Sequence, residues 1–251
     1  MGVTGLYALQ NGFMGAQRSL LFYGEYAETR TQIPITCYVV RTSDATILFD
    51  TGVAPRAVPG LVRNDPMARF TDEDLLVHRL DSVDLAPSNV DLVVISHLHY
   101  DHAGGAALFP NSELVVQKDE YAYAHYPAAF FAPFYYRKNF DLPTYRWRLL
   151  EGDTELVPGV TVLRSEGHTP GHQSLLVHLP KTGWVILSGD AAHFKDNWDN
   201  RRVPSMNTSA EQTQASFKRV ADLLTAKNAQ LWINHDKPQS LGQKHSPAFY
   251  D

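Results

Sequence analysis

Cysteine, long apolar runs and blocks of basic residues are all scarce in this sequence. Its 251 residues include one cysteine, Cys37, so no intrachain disulfide can form, and the apolar run around it predicts a small buried core residue. No stretch of about 18 apolar residues is present to span a bilayer, and the first twenty residues lack the basic start and unbroken apolar stretch of a secretion signal. The net charge of −5, without large basic clusters, gives no reason to expect nucleic acid or membranes as partners. We therefore expect a soluble, cytoplasmic protein.

Short apolar runs, several of them rich in valine and isoleucine, are separated by turns and by two helical patterns. Runs of about four to six residues bounded by turn signals are typical of strands. They predict strands at 35–40, 46–49, 92–95, 114–116, 160–163, 174–179, 184–187 and 231–233. Thr71 is followed by three acidic residues and Ser209 by one, Glu211, and apolar residues at helical spacing come after both. These patterns predict two helix N-termini. Strands with interspersed helices predict a layered α/β protein, and because no linker is visible we expect 1–251 to form a single domain.

Residues 121–148 carry an unusual density of aromatic side chains, interrupted by prolines. Such a segment predicts either a satellite core beneath a long excursion of the chain or a hydrophobic wall over a site. The two interpretations are compatible, and the sequence does not choose between them.

The sequence HLHYDH at 97–102 places three histidines and an aspartate directly after a predicted strand. Residues that follow a strand keep some of its alternation, so His97 and His99 can point the same way and bind one metal ion. The chain then runs into two glycines, which permit a sharp turn and leave Asp101 and His102 facing a second ion nearby. Imidazole and carboxylate ligands without a thiolate suit zinc, with manganese, iron or cobalt as alternatives. The motif therefore predicts a pair of metal ions.

Three further candidate ligands, His168, Asp190 and His235, each lie between a predicted strand and a turn. Loops at strand ends are held by a rigid sheet, which is how catalytic sites are commonly built. Seven ligands for two ions leave coordination positions open for water and substrate. That pattern predicts a catalytic site rather than a closed structural one.

Two other polar residues near these motifs are expected to support the ligands. Asp50 ends a predicted strand and is either a plain turn carboxylate or, as we favour, the hydrogen-bond acceptor for the outer nitrogen of a ligand histidine. His172 is expected to support the loop of His168 by hydrogen bonding rather than to bind metal.

Motifs spread over nearly the whole chain resemble those of the metallo-β-lactamase superfamily. They are ILFDTG at 47–52, SHLHYDHAGG at 96–105, GHTPGH at 167–172, SGD at 188–190 and NHD at 234–236, in the superfamily's order. The resemblance implies an αββα sandwich, in which two mixed β-sheets lie face to face and helices cover their outer faces. It also implies a ligand set for two zinc ions: His97, His99 and His168 for one, Asp101, His102 and His235 for the other, and Asp190 bridging both.

Within that superfamily the chain is most similar to the quorum-quenching N-acyl-homoserine lactone lactonases. It shares with them further sequence segments at 151–153, 157–160 and 167–175. This resemblance implies that a hydroxide held between two zinc ions opens a lactone ring. For such a reaction we expect Asp101 or a metal-bound water to protonate the leaving oxygen, and Tyr100 to pack against an acyl chain. These lactonases often carry a tyrosine three residues after the bridging aspartate, thought to contact the substrate carbonyl. Here that position is His193, and the contact either passes to His193, as we expect, or is lost.

Other lactonases and esterases of the superfamily, and a glyoxalase II-type thioesterase, are the alternative functions. The thioesterase shares the ligand set, but it usually has an extra basic helical domain, and only a short tail follows His235. A flavodiiron-like module usually has glutamate where this chain has His99. We therefore expect a small-molecule lactone as the substrate and a monomer or homodimer as the assembly.

Overall fold

Two β-sheets face each other between layers of helices in the computed structural model, which describes residues 2–24 and 29–251. The strands are β1 (Val3–Gln17), β2 (Arg30–Thr42), β3 (Thr46–Phe49), β4 (Leu92–Val94), β5 (Glu113–Gln117), β6 (Arg146–Leu150), β7 (Thr154–Val157), β8 (Val160–Arg164), β9 (Gln173–Leu179), β10 (Gly183–Leu187) and β11 (Gln230–Trp232). The helices are α1 (Arg18–Leu21), α2 (Val58–Asn64), α3 (Leu76–Asp81), α4 (Lys118–His125), α5 (Arg137–Phe140), α6 (Lys195–Asp199), α7 (Ala210–Lys227) and α8 (Lys237–Gly242). Single turns of 3-10 helix lie at Pro55–Ala57, Asp72–Asp74, Pro87–Asn89, Ala106–Leu108, Ala132–Phe134 and Gly189–Ala191.

Both sheets are mixed. The first has the order β1-β2-β3-β4-β5-β6, with antiparallel pairing from β1 to β3 and parallel pairing from β3 to β6. The second has the order β11-β10-β9-β8-β7, in which only β10 and β11 pair in parallel among the strands described.

The core has three layers because the central strands are buried on both faces. Ile47 and Phe49 of β3 point between the two sheets, whereas Leu48 packs on the outer side of the first sheet, towards α3. In β9, Leu176 packs with Val220 of α7 on the outer side of the second sheet. Burial on both faces makes such strands read as continuous apolar runs. The αββα sandwich implied by the sequence resemblance is therefore confirmed.

Every predicted strand coincides with an observed strand to within a few residues. The sequence did not predict β1, β6 or β7, and β1 is interrupted by glycines and by a register shift between Gln10 and Phe13. Ser209 caps α7 as predicted, since its hydroxyl accepts a hydrogen bond from the Gln212 backbone N–H at 3.2 Å. The helix predicted at Thr71 begins as a single 3-10 turn, and the backbone is extended at Leu75 before α3 starts.

None of the helices within residues 2–24 and 29–251 combines the length and the apolar character that crossing a membrane requires.

Candidate metal centre

The loops that follow four strands meet at one end of the sandwich. HLHYDH follows β4 of the first sheet, whereas the loops of His168, Asp190 and His235 follow β8, β10 and β11 of the second. The backbone N–H of Gln173 donates to the Ser96 carbonyl at 2.9 Å and joins the two sheets beside the site. The structure thus brings together all seven residues that the sequence predicts as metal ligands, and six of them are buried while Asp101 is partly exposed.

Three imidazoles form the first half of the site. His97 Nε2 lies 2.9 Å from His99 Nδ1, and His168 Nε2 lies 3.2 Å from each of these two atoms. Three nitrogens at such distances cannot all be satisfied by N–H donation to one another, whereas one cation accepts a lone pair from each. The arrangement therefore fits a divalent metal ion with nitrogen ligands.

The second half of the site consists of Asp101, His102 and His235. The Asp101 Oδ2 atom lies 3.7 Å from His102 Nε2 and 3.8 Å from His235 Nε2. Together the three residues form a second group whose ligand atoms lie close enough to share an ion.

The Asp190 carboxylate lies between the two halves and divides its oxygens between them. Oδ1 lies 3.3 Å from His102 Nε2 and 3.1 Å from His235 Nε2, on the side of the second group. Oδ2 lies 3.6 Å from His168 Nε2 and 4.0 Å from His97 Nε2, on the side of the first. A carboxylate in this position is suited to bridging two cations.

Several buried atoms that face the centre have no hydrogen-bond partner among the described residues. They include His102 Nε2 and Asp190 Oδ1. Buried polar atoms are almost always paired, so orphans concentrated at one place indicate a missing partner. Two divalent cations would meet the need of the inward-facing nitrogen and oxygen atoms.

Outer hydrogen bonds fix the orientation of three of the histidines. The Nδ1 atoms bond to Asp50 Oδ2 at 2.8 Å for His102, to the Met206 carbonyl at 2.9 Å for His168 and to the Pro34 carbonyl at 2.9 Å for His235. These acceptors can only accept, so each ring carries its proton on Nδ1 and keeps the Nε2 lone pair for the site. Metal-binding histidines are commonly held in this way. The structure places Asp50 in the position that we favoured for it from the sequence.

The pKa values of the site residues show which of them are charged. Burial lowers the pKa of His99 to about 3 and that of His168 well below its usual range, which keeps these imidazoles neutral. Burial alone would raise the pKa of Asp190, but the imidazoles of His235, His102 and His193 hold it well below its usual range. His99 and His168 therefore present neutral nitrogen donors to the ionised Asp190 carboxylate. At His102 and His235 burial would lower the pKa, but the charge of Asp190 outweighs it and raises the pKa of both.

His172 links the loops rather than facing the ions. Its Nδ1 atom lies 3.0 Å from the Ser165 carbonyl, and its Nε2 atom accepts from the Asp190 backbone N–H at 2.9 Å. Burial lowers the pKa of His172 to about 4, in keeping with a neutral ring that donates at Nδ1 and accepts at Nε2. It therefore supports the Asp190 backbone as well as the loop of His168.

Glu120 of α4 is a buried carboxyl that no sequence pattern singled out. Its Oε1 atom accepts from the Leu98 backbone N–H at 2.9 Å and from the Tyr135 hydroxyl at 3.1 Å, and Oε2 accepts from the Gly171 N–H at 3.4 Å. It joins the loop of His97 and His99 to the loop of His168. A charged residue early in a helix is typical of an exposed position, so its burial shows only in the packed structure.

A cavity of about 240 Å³ opens onto the centre. Asp101, Asp190, His193 and His235 lie at its base, and Tyr100 is in its wall as predicted. The apolar part of the wall comprises Met14, Leu20, Leu21, Ile33, Phe134 and Met206. Both interpretations of the aromatic segment hold, since Phe134 lines the cavity while Phe140 is buried in the core.

Changing Asp50 to asparagine is expected to weaken metal binding at the His102 position by about 10–100-fold. The Asp50 carboxylate accepts from His102 Nδ1 and from the Ser96 backbone N–H at 2.7 Å, so an amide must turn its NH2 group towards one of these donors. Titration with a competing chelator measures the effect, and the exposed residue Asp44, changed to asparagine, is the control. Wild-type affinity for both ions in Asp50→Asn would contradict the role of the hydrogen bond.

Comparison with known proteins agrees with this geometry. The family model of the metallo-beta-lactamase superfamily matches residues 30–228. An N-acyl homoserine lactonase from Bacillus sp. is 35% identical over 249 residues, which cover 94% of this chain and 97% of that protein. The N-acyl homoserine lactonase AttM from Azorhizobium caulinodans is 31% identical over 258 residues, covering 98% of each.

Solved structures of N-acyl homoserine lactone lactonases share the fold of this chain. An N-acyl homoserine lactone hydrolase with the product N-hexanoyl-L-homoserine bound at its catalytic metal center aligns with a TM-score of 0.89 and 31% identity, over 99% of this chain and 100% of that one. A quorum-quenching N-acyl homoserine lactone lactonase aligns with the same TM-score over 99% of each chain. From the family match, these relatives and the shared fold, the chain belongs to the metallo-beta-lactamase superfamily and is similar within it to the N-acyl homoserine lactonases.

Proposed function

We propose that this protein hydrolyses the ring ester of an N-acyl-homoserine lactone at a centre of two divalent cations. The observation that carries the proposal is the Asp190 carboxylate, which divides its oxygens between two groups of ligands at the base of a partly apolar cavity. Relatives named as lactonases, aligned over nearly the whole chain, support the choice of substrate.

We assign one cation to His97, His99 and His168, the other to Asp101, His102 and His235, and Asp190 to both. Nitrogen and carboxylate ligands favour zinc, and manganese, iron and cobalt are the alternatives. When bound, such a pair supplies an acidified water and polarises a carbonyl oxygen.

Asp101 is suited to move the proton that ring opening requires. Its carboxylate is partly exposed and lines the cavity, whereas Asp190 is almost fully buried. Attack of water on the carbonyl carbon releases one proton, and breaking the ring C–O bond requires one at the leaving oxygen. Asp101 would accept the first at a carboxylate oxygen and return it to the second, giving a hydroxy acid without net change in the protein.

The cavity walls would bind the rest of the substrate. Tyr100 lies beside the ligands and packs near Tyr136, with ring centroids 5.5 Å apart. Met14, Ile33 and Phe134 present apolar surface on which an acyl chain can lose its contact with water. A cavity of about 240 Å³ has room for the lactone and the first part of the tail, and a longer tail would leave along the wall.

Titration of the acid released from N-hexanoyl-homoserine lactone tests the proposal. We expect turnover that disappears after treatment with a chelator and returns when zinc, manganese or cobalt is added. A glutathione thioester assayed in parallel separates the lactonase from the thioesterase of the same superfamily. Turnover of the thioester with no acid released from the lactone would refute the proposed substrate.

A further inference from the structure

We propose that His193 is a further protein ligand of the cation assigned to His97, His99 and His168. This inference deepens the metal-dependent hydrolysis proposed above and rests on it for the presence of the cations. The metal centre would then use eight side chains where the sequence patterns predict seven.

The position of His193 is the first observation. It follows Asp190 by three residues in the loop after β10, and its side chain is 1% exposed. Its Nε2 atom lies 3.2 Å from Asp190 Oδ2. Ligand atoms of His168, Asp190 and His193 all lie within 4.8 Å of one another, a spacing that a single ion can bridge.

The divided carboxylate shows which cation His193 faces. Asp190 Oδ2, its neighbour, also lies on the side of His168 and His97, whereas Oδ1 lies on the side of His102 and His235. The ring of His193 meets that of His168 at a centroid distance of 5.0 Å and an angle of 74°, so the two imidazoles approach edge to face. His193 therefore belongs with the first group.

Both ring nitrogens of His193 are buried and lack a hydrogen bond to any of the described residues. Each buried polar atom left without a partner costs about 1–3 kcal/mol, so a ring with two of them needs a reason to be there. The ion-pair distance to Asp190 does not supply a well-aligned hydrogen bond. A cation would take the lone pair of one nitrogen, as it would for the other inward-facing imidazoles.

Ligation by His193 makes the two metal positions unequal. The first would have four imidazoles and one oxygen of Asp190, and the second would have His102, His235, Asp101 and the other oxygen. The first position would therefore favour a metal that accepts more than four ligands, such as iron, manganese or cobalt, over a tetrahedral ion.

Proton NMR of the wild-type protein loaded with cobalt(II) tests this directly, without substrate and without substitution. Each imidazole bound to cobalt(II) gives a strongly shifted N–H resonance that disappears in heavy water, and burial of His193 protects its proton from rapid exchange. We expect six such resonances, from His97, His99, His102, His168, His193 and His235. Five resonances would overturn the proposal.

Two substitutions separate ligation from hydrogen bonding. His193→Gln keeps a donor for Asp190 or for a substrate carbonyl but offers a poor metal ligand, and His193→Phe keeps a ring with neither property. We expect both variants to bind one of the two cobalt ions at least about 10–100-fold more weakly. That is the loss of affinity typical of residues that only support a metal ligand, and loss of a ligand itself should cost no less. When excess cobalt(II) fills the first position of either variant, the ion there has one ligand fewer than in the wild type. Its visible absorption should therefore strengthen, because cobalt(II) with fewer ligands absorbs more strongly.

His178→Gln, at an exposed histidine, is the matched control and should bind both ions as the wild type does. Wild-type affinity and an unchanged spectrum in His193→Gln would show that His193 acts as a hydrogen-bond donor and would overturn the proposal. The lactone assay decides the proposed function separately. Six resonances without lactone turnover would refute only the function, and turnover with five resonances would refute only the role of His193.

Discussion

Alanine in place of Asp190 is expected to lower the rate of lactone hydrolysis by more than about 100-fold. Residues that only support a metal ligand lower activity by up to about that factor when they are changed, and Asp190 is itself a proposed ligand. The Asp190 carboxylate is the ionised group that both halves of the centre share. Without it, both halves of the centre lose an oxygen ligand, because Oδ1 lies beside His102 and His235 and Oδ2 lies beside His168. Two cations would also repel each other without the negative charge between them.

Metal analysis and acid-release rates measure this effect together. The wild type should hold about two ions per chain, and Asp190→Ala should hold fewer and turn over slowly even in excess metal. Asp199→Ala is the control, since that carboxylate is exposed and pairs with Lys195 on the surface of α6. Full metal content with undiminished hydrolysis in Asp190→Ala would refute the assignment of the centre.

The metal centre could be read from the sequence because its ligands follow strands. His97, His168, Asp190 and His235 come from four separate strand ends, and the sandwich brings those ends to one place. Polar residues after an apolar run are visible in the sequence, and the order of the motifs matches a known fold. The convergence of these residues was therefore predictable without coordinates.

Other features of the fold were only partly predictable from the sequence. Cys37 was predicted to be buried from its apolar neighbours, and it is fully buried. Strand β1 was missed because its glycines and polar residues break the alternation that reveals a strand, although its pairing with β2 runs from Val3 to Gln17. The single-domain organisation, the assembly as a monomer or homodimer and the cytoplasmic location stay predictions.

The environments of His193 and Glu120 could not be predicted from the sequence. A histidine in place of the relatives' tyrosine is visible in the sequence, but only the coordinates show that its nitrogens are unpaired beside Asp190. Glu120 lies in the charged opening of α4, where a surface carboxylate would be expected, yet its side chain is fully buried. Burial of that carboxyl depends on how α4 packs over the HLHYDH loop.

Leucine in place of Glu120 is expected to lower the free energy of unfolding by at least about 3 kcal/mol. The carboxylate accepts from the Leu98 and Gly171 backbones and from the Tyr135 hydroxyl, and a leucine leaves all three donors unpaired in a buried place. Burial raises the pKa of Glu120, and the hydrogen bonds oppose that effect. The loop of His168 also approaches α4 closely at this point, since a Cβ added at Gly171 would lie 2.2 Å from the Glu120 backbone nitrogen.

Urea denaturation of the metal-loaded protein measures the change in stability, and chelator competition measures the change at the metals. Metal affinity should fall by about 10–100-fold as well, because the Leu98 N–H that Glu120 holds lies between two ligand histidines. Glu120→Gln should fall between the wild type and Glu120→Leu in both measurements, since an amide keeps one acceptor but turns a donor towards another donor. Glu151→Leu removes an exposed carboxylate paired with Lys118 and should leave stability close to that of the wild type. Equal stability of Glu120→Leu and Glu151→Leu would mean that the buried carboxyl does not hold the two ligand loops together.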